Sequence, residues 1–505
     1  MQPKKLVETR GGTYSRRQFV KTSAEALALA GLSTVWPITT RDDRPNVVLI
    51  ITDEHNGGVL SAAGDTLART PVLDALADQG VLFTDHYCNS PLCVPSRLSF
   101  ISGKYISRIG AWSNTCWLPS ADYPTLPRML ARVGYESFLC GKMHFDRTRR
   151  YGFTEIWKSP LNQHHKTGKG KRRDPDNLKP KPGISERFKD FRTGTKSRVL
   201  EHDRETTRWA VDFLAKRRRR DGPFFLVIGY LAPHFPLIVP QGYWSHFAGK
   251  IPLPTIPPGH LDAQPLNYKH LRIAFNVEDA PVEIVRRGRE LYYGLTEWVD
   301  TEIGKVLDAL RRSDVGRNTV VVYTADHGEN MGEHGLWWKN CMYQHAAHVP
   351  LIVSFPERWR GGQIRRGACS LVDVASTVAD LAHAPVPEDW DGESLLPWLD
   401  DPSVGWKATA LSEYYGHNIA SGFVMFRRSH YKYVYHTPPD AHHPAQRELY
   451  DLSRDPGEFR NLADEPAYRD VVEALHSRML RELGEHPDET ERRCRRDYAR
   501  GYGRD

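Results

Sequence analysis

Cys93-Val94-Pro95-Ser96-Arg97 puts a thiol, a proline, a hydroxyl and a guanidinium within five residues. Pro95 reads as the first residue of a helix, which places Cys93 just before its N-terminus. There the dipole and free N–H groups favour an anion, and Arg97, on the first turn, can point back at it. Four other stretches carry chemistry at the ends of apolar runs: Asp53-Glu54-His55, Lys142 with His144, Pro233-His234 and Asp326-His327-Gly328. One strand-end acid is usually a cap, and one histidine is usually structural. Four such ends are hard to explain as caps. The carboxylates suit a hard cation and the fixed positive charges suit an oxyanion, a combination that fits hydrolysis of a sulfate or phosphate ester.

The elements that must position these groups are legible. "NVVLIITD" (46–53), "YESFLCGKMH" (135–144), "PFFLVIGYLAPHFP" (223–236) and "NTVVVYTADHGE" (318–329) read as buried parallel strands. "TPVLDALADQG" (70–80) has Thr70 as N-cap, Pro71 at the first helical position and Gly80 past the end; 123–134 repeats that grammar. Apolar residues at 291, 295, 299, 303, 306 and 310 make 290–313 an amphipathic helix. Strands alternating with helices predict α/β architecture with a mostly parallel sheet, whose ligand edge is the carboxyl end of the strands. After about residue 400, 422–437 reads as an antiparallel hairpin and 467–483 as a closing helix. Residues 160–200, rich in Lys, Arg, Pro and Gly, read as a long exposed insertion. The cations of "KRRRR" (216–220) suit the C-terminal dipole of a helix that ends there.

The chain has 505 residues and a formal net charge of +7, of which +4 lies in residues 1–44. A mildly basic body does not argue for nucleic acid and permits an anionic substrate. Seven cysteines, an odd number without a Cys-x-x-Cys pair, leave at least one thiol over and room for one or two disulfides. Ser15-Arg16-Arg17-Gln18-Phe19-Val20-Lys21, ahead of a weakly apolar run, resembles a twin-arginine export signal. It predicts a periplasmic or secreted protein. No later run is long and apolar enough to predict a membrane-spanning helix.

"PLCVPSRLSF" resembles the signature of type I sulfatases, in the alkaline-phosphatase-like superfamily. "NVVLIITDEH", "GYESFLCGKMHF", "PHFP", "TADHGENMGEHGLWWK" and "ELYDLSRDPGEFRNLA" look like blocks of that family in family order. The style of "PLCVPSRLSF", "RIGAWSN" and "LCGKMHF" is nearest choline-sulfatase-like and phosphonate-monoester-hydrolase-like members.

The resemblance implies that Cys93 is oxidised to formylglycine by a generating enzyme during maturation, and that its hydrate supplies the nucleophile. It implies metal ligands at Asp53, Asp326 and His327, with the modified Cys93 completing the shell. Glu54, one methylene longer than Asp, stands where many relatives carry a second acid or amide and is a further metal-ligand candidate. Arg97 would hold the formylglycine, and Lys142 and His144 would orient it and the sulfate. His234 and Lys339 would contact the sulfate, with His234 as leaving-group acid. Mostly oxygen ligands suggest Ca²⁺, while the histidine keeps Mn²⁺ or another divalent ion open. Trp112, Asn114 and Trp337 are candidate borders of the substrate pocket, with Trp338 beside them. His334, His345 and His348 are expected in supporting roles.

The implied fold is an alkaline-phosphatase-like sheet sandwiched by helices, plus a smaller C-terminal antiparallel sheet and helix. Its segments are 1–44 (export signal and linker), 45–400 (catalytic) and 401–505 (C-terminal α+β). The expected protein is an exported hydrolase of a sulfated small molecule or glycan. The alternatives are a phosphonate monoester or phosphodiester hydrolase on the same scaffold, and an inactive sulfated-glycan binding protein.

Overall fold

The computed structural model describes residues 44–163 and 172–502. The twin-arginine motif and residues 164–171 of the basic insertion lie outside the described residues.

Twelve strands build the two main sheets. In chain order they are β1 (Asn46–Asp53), β2 (Val81–Phe83), β3 (Glu136–Gly141), β4 (Thr154–Trp157), β5 (Phe224–Pro233), β6 (Thr319–Ala325), β7 (Leu351–Ser354), β8 (Gln363–Arg365), β9 (Thr409–Tyr414), β10 (Phe423–Arg428), β11 (Tyr431–His436) and β12 (Gln446–Asp451). The first eight form one sheet in the order β8-β2-β7-β6-β1-β5-β3-β4. β7 runs antiparallel to both neighbours, and the other pairs are parallel. β1 is buried along its whole length because helices cover both faces, which its continuous β-branched run requires. Val47, Leu49 and Ile51 face one core and Val48 and Ile50 the other. β9 to β12 form a second, antiparallel sheet.

The helices used below are α1 (Pro71–Asp78), α2 (Cys93–Ser102), α3 (Leu126–Ala131), α4 (Arg198–Lys216), α5 (Val282–Arg312), α6 (Leu371–Leu381), α7 (Arg469–Leu483) and α8 (Pro487–Arg500). Leu98, Phe100 and Ile101 of α2 pack with the β1 core face, together with Leu371, Val374 and Val378 of α6. α4 and α5 cover the opposite face. Among the described residues no helix is long and apolar enough to cross a membrane.

Several local expectations are corrected. Thr70 holds the N-cap position of α1 with Pro71 first in the helix, as expected, but its hydroxyl reaches Asp74 at 3.2 Å and makes no capping bond. The Asp300 carboxylate of α5 accepts from Val72 N–H and Leu73 N–H instead, at 3.0 and 2.9 Å. α5 starts at Val282, two turns before the expected 290. Gly288 hides that start in the sequence, yet it is where the helix meets Trp337 and Phe191, which leave no room for a Cβ. All seven cysteines are buried free thiols, so no disulfide is formed. The basic insertion is not wholly exposed: Phe188 and Phe191 are buried against Trp337, at ring distances of 5.6 and 5.1 Å. The "KRRRR" cations do serve the end of α4, where Arg218 donates to Ala215 O at 2.7 Å.

Candidate active site

β6, β1, β5 and β3 are neighbours in the sheet, and their carboxyl ends share one edge. That edge brings Asp326, Asp53, His234 and Lys142 together, as the strand ends predict. α2 begins at Cys93, two residues earlier than expected, with Leu92 as N-cap. Pro95 fits at the third helical position because the first four helical N–H groups have no intrahelical acceptor. Cys93 is thus the first helical residue. Asn114 Oδ1 accepts from Val94 N–H at 3.0 Å, so Asn114 secures the helix start.

Arg97 is fully buried and ties three strand ends together. Its Nε donates to Asp326 Oδ2 at 2.7 Å, Nη1 to Lys142 O at 2.7 Å and Nη2 to Asp53 Oδ2 at 3.3 Å. Lys142 Nζ also donates to Asp53 Oδ2. Each carboxylate therefore gives one oxygen to cations and turns the other elsewhere. Asp53 Oδ1 lies 3.8 Å from Cys93 Sγ and 3.7 Å from His327 Nε2. Asp326 Oδ1 lies 3.5 Å from His327 Nε2, and Cys93 Sγ to His327 Nε2 is 3.2 Å. The four ligand atoms fall within 4.8 Å of one another. His327 Nδ1 donates to Gly328 O at 3.1 Å, so the neutral ring presents Nε2 as an acceptor. This buried donor set fits a divalent cation.

Electrostatics support that reading. Burial would raise Asp326, but Arg97, His327, Lys142 and Lys339 outweigh it and hold the carboxyl far below its ordinary range. Burial pushes His327 down to about 3, keeping it a neutral ligand. Burial lowers Lys142 to about 7, Asp326 opposing. Cys93 is pushed up to about 12 by burial, against the pull of Lys339. Burial drives Glu54 up to about 8 despite Lys339. Glu54 stands beside the four-atom set and not inside it. It joins Asp53 and His234 in a second cluster, with Lys339 Nζ at 3.0 Å and His234 Nε2 at 3.3 Å from its carboxylate.

The backbone pays for this arrangement. Glu54 (φ 72°) and His144 (φ 62°) are left-handed, a strained conformation for such side chains. Glu54 is pinned by its N–H to Asp326 Oδ1 at 3.1 Å and by Tyr292 Oη donating to its carbonyl at 2.6 Å. Asn162 Oδ1 accepts from Met143 and His144 N–H at 2.8 and 2.9 Å, and its amide donates to Gly141 O at 2.8 Å. β3 and β5 meet so closely here that a Cβ on Gly229 would lie 1.9 Å from Lys142 O. Glu329 accepts from Met331 and Trp338 N–H at 2.9 and 2.5 Å and so sets the loop that delivers Lys339. Asn162→Ala leaves two buried N–H groups without an acceptor. It should lower unfolding stability by about 1–3 kcal/mol and reduce turnover by displacing Lys142 and His144. Calorimetry with kinetics checks both effects, and wild-type values for both would show that Asn162 does not position them.

Other sequence candidates take packing positions. Trp112 is buried in the core, its Nε1–H donated to Asp497 at 2.8 Å and its ring edge-on to Tyr415 at 5.5 Å. Its described contacts run to the C-terminal elements and not to the strand-end cluster. Trp337 is likewise buried, against Phe188 and Phe191. His334 stacks on Tyr343 at 3.6 Å, and His348 bonds Thr84 O at 2.9 Å. Asn162 and Tyr292 have no motif around them, and Glu329 sits inside the TADHGENMGEHGLWWK block with nothing to mark it out. Only the fold shows their function.

A family model described as Sulfatase matches residues 45–384. The chain belongs to the sulfatase family. A second model, N-sulphoglucosamine sulphohydrolase, C-terminal, matches residues 332–485 of this sulfatase. Choline-sulfatase of Rhizobium meliloti (strain 1021) is 30% identical over 446 residues, covering 84% of this chain and 83% of its own. Arylsulfatase K of Homo sapiens is 29% identical, covering 83% and 79%. The crystal structure of phosphonate monoester hydrolase of Agrobacterium radiobacter superposes with a TM-score of 0.72 at 24% identity, covering 87% of this chain and 96% of that one, which establishes the shared fold. The protein is thus a sulfuric ester hydrolase. Its family typically uses a divalent metal and formylglycine, and a buried Asp53/Cys93/Asp326/His327 cluster fits both.

Proposed function

We propose that this chain is an exported sulfatase that hydrolyses the sulfate ester of a carbohydrate or small alcohol, with Cys93 as formylglycine. The observation that carries the reading is the buried Asp53, Cys93, Asp326 and His327 set, ringed by Arg97, Lys142, Lys339 and His234. The twin-arginine motif at 15–21 supports export.

A divalent cation held by Asp53, Asp326, His327 and residue 93 would offset sulfate charge and acidify the nucleophilic hydroxyl. Ca²⁺ suits the oxygen donors and Mn²⁺ the histidine. Formylglycine at 93, installed by a generating enzyme, would supply that hydroxyl as a hydrate. The chain's own residues do the rest. Arg97 fixes both carboxylates and the site's charge. Lys142 and Lys339, now paired with Asp53 and Glu54, would supply counter-charge to sulfate oxygens. His234 Nδ1 donates to Phe235 O at 2.5 Å, which leaves Nε2 facing Glu54 and Asp53. Burial, with Lys339 and Lys142, holds His234 well below its ordinary range. An arriving sulfate counters those two cations, so His234 is easier to protonate when a leaving group needs its proton.

His234→Ala should slow an alkyl or sugar sulfate by about 10²–10⁴-fold and nitrophenyl sulfate far less, since nitrophenolate leaves without a proton. Equal losses would assign His234 to sulfate binding and move the donor to Lys339 or His144. The whole reading is tested by offering the formylglycine-bearing, metal-loaded protein alkyl, sugar and aryl sulfates beside matched phosphonate monoesters and phosphodiesters. Larger kcat/KM on sulfates is expected. Preference for the phosphorus esters would establish the rival hydrolase. Binding of sulfated glycan without turnover would establish the inactive binding protein.

A further inference from the structure

The part of the basic insertion that follows residue 171 reaches the site. Phe188 stacks on Trp338 at 6.0 Å and 21°, and the adjacent Arg187 lays its guanidinium over the same indole at 4.6 Å. Phe235 and Phe275 complete the box, 5.3 and 5.8 Å from Arg187 Cζ, and lie 6.4 and 5.1 Å from the Trp338 ring. Trp338 precedes Lys339, and Phe235 follows His234. Both of those neighbours contact Glu54, so the box adjoins the chemistry. Arg198, at the start of α4, donates to Phe235 O at 3.3 Å and sits 5.8 Å from the Phe235 ring. Arg187 and Arg198 are both exposed, so a ligand can reach them. Half-buried His417 comes from the β9–β10 connection, and Lys339 and Arg187 are the charges that act on it.

Two facts then bear on the leaving group. Aromatic faces of this kind could take a quaternary ammonium, but here they already carry the chain's own guanidinium. Among the described residues, the exposed charges lying over the box rings are Arg187 and Arg198, whose forked donors match carboxylate and sulfate. We infer that Arg187 and Arg198 form a leaving-group subsite for an anionic substituent, a carboxylate or second sulfate on a sugar, and that they exclude a quaternary ammonium. The inference rests on the sulfate-ester reading above. It also means that 30% identity to a choline-sulfatase does not carry that substrate over to this chain.

Three aryl sulfates on one ring test it, differing only in the para substituent: carboxylate, methyl carboxylate ester or trimethylammonium. The wild-type enzyme should prefer the carboxylate, then the ester, then the ammonium, with a preference that shrinks as salt rises. Arg187→Ala should cost about tenfold or more in kcat/KM on the carboxylate, through KM. The methyl ester should stay within about twofold, which also shows that the variant is folded. The ammonium compound should improve. Arg187→Lys should keep part of the charge preference. Equal loss on all three substrates, or wild-type turnover of the ammonium as good as that of the carboxylate, overturns the subsite and leaves the sulfatase reading intact. No turnover of any of them by an enzyme that hydrolyses alkyl or sugar sulfates overturns the subsite alone; no turnover of those sulfates either overturns the sulfate-ester reading.

Discussion

Asp53→Asn and Asp326→Asn should each strip the protein of its divalent ion and lower turnover on the order of 10³-fold or more. The reason is the split use of each carboxylate. Oδ2 of both residues is committed to buried cations, Arg97 in each case and Lys142 for Asp53. Oδ1 of both faces Nε2 of His327, at 3.7 and 3.5 Å. Asparagine keeps the shape but removes a charge that two neighbours need. The metal loses a ligand, and Arg97 loses one of the two counter-ions that justify its burial, which costs about 3–5 kcal/mol when such a pair is broken. Metal content by mass spectrometry, thermal unfolding and kcat/KM together check the result. Wild-type metal in both variants would show that the ion binds elsewhere. Glu54→Gln is the informative companion: a large drop in metal affinity makes Glu54 a ligand, and a small one assigns it to the His234–Lys339 cluster.

Cys93→Ser should keep metal and fold yet lose turnover by about 10³-fold or more. Burial pushes the Cys93 thiol up to about 12 and so disfavours its thiolate, the nucleophilic form. A serine hydroxyl in its place has no second hydroxyl with which to release sulfate. Specific activity should therefore rise with the formylglycine fraction of the 89–100 peptide, measured by mass spectrometry, and extrapolate to near zero at none. Full activity from protein carrying only cysteine would sink the assignment.

Much of this site is written locally. Val47 to Ile51, Phe224 to Ile228 and Val320 to Tyr323 are apolar, largely β-branched runs that have one stable use, as strands covered on both faces. Parallel strands end on one edge, so Asp53, Lys142, His234 and Asp326 had to meet. The Cys93 to Arg97 spacing carries its own family resemblance. What stayed hidden depends on contacts across long separations. Asn162 and Tyr292 hold the turns after β3 and β1 through side-chain hydrogen bonds to backbone far away in sequence, which leave no periodic trace. The first two turns of α5 follow from the fit of Gly288 against Trp337 and Phe191. Trp112, near the Cys93 motif in sequence, and Trp337, near Asp326 and Lys339, are drawn into cores because their apolar area gains most there. Arg187 lies in a segment whose composition resembles a solvated linker. Only Phe188 and Phe191, three residues apart, hint that it docks. Proximity along the chain is a poor guide here because a pocket is filled by whichever segment the packing returns to it.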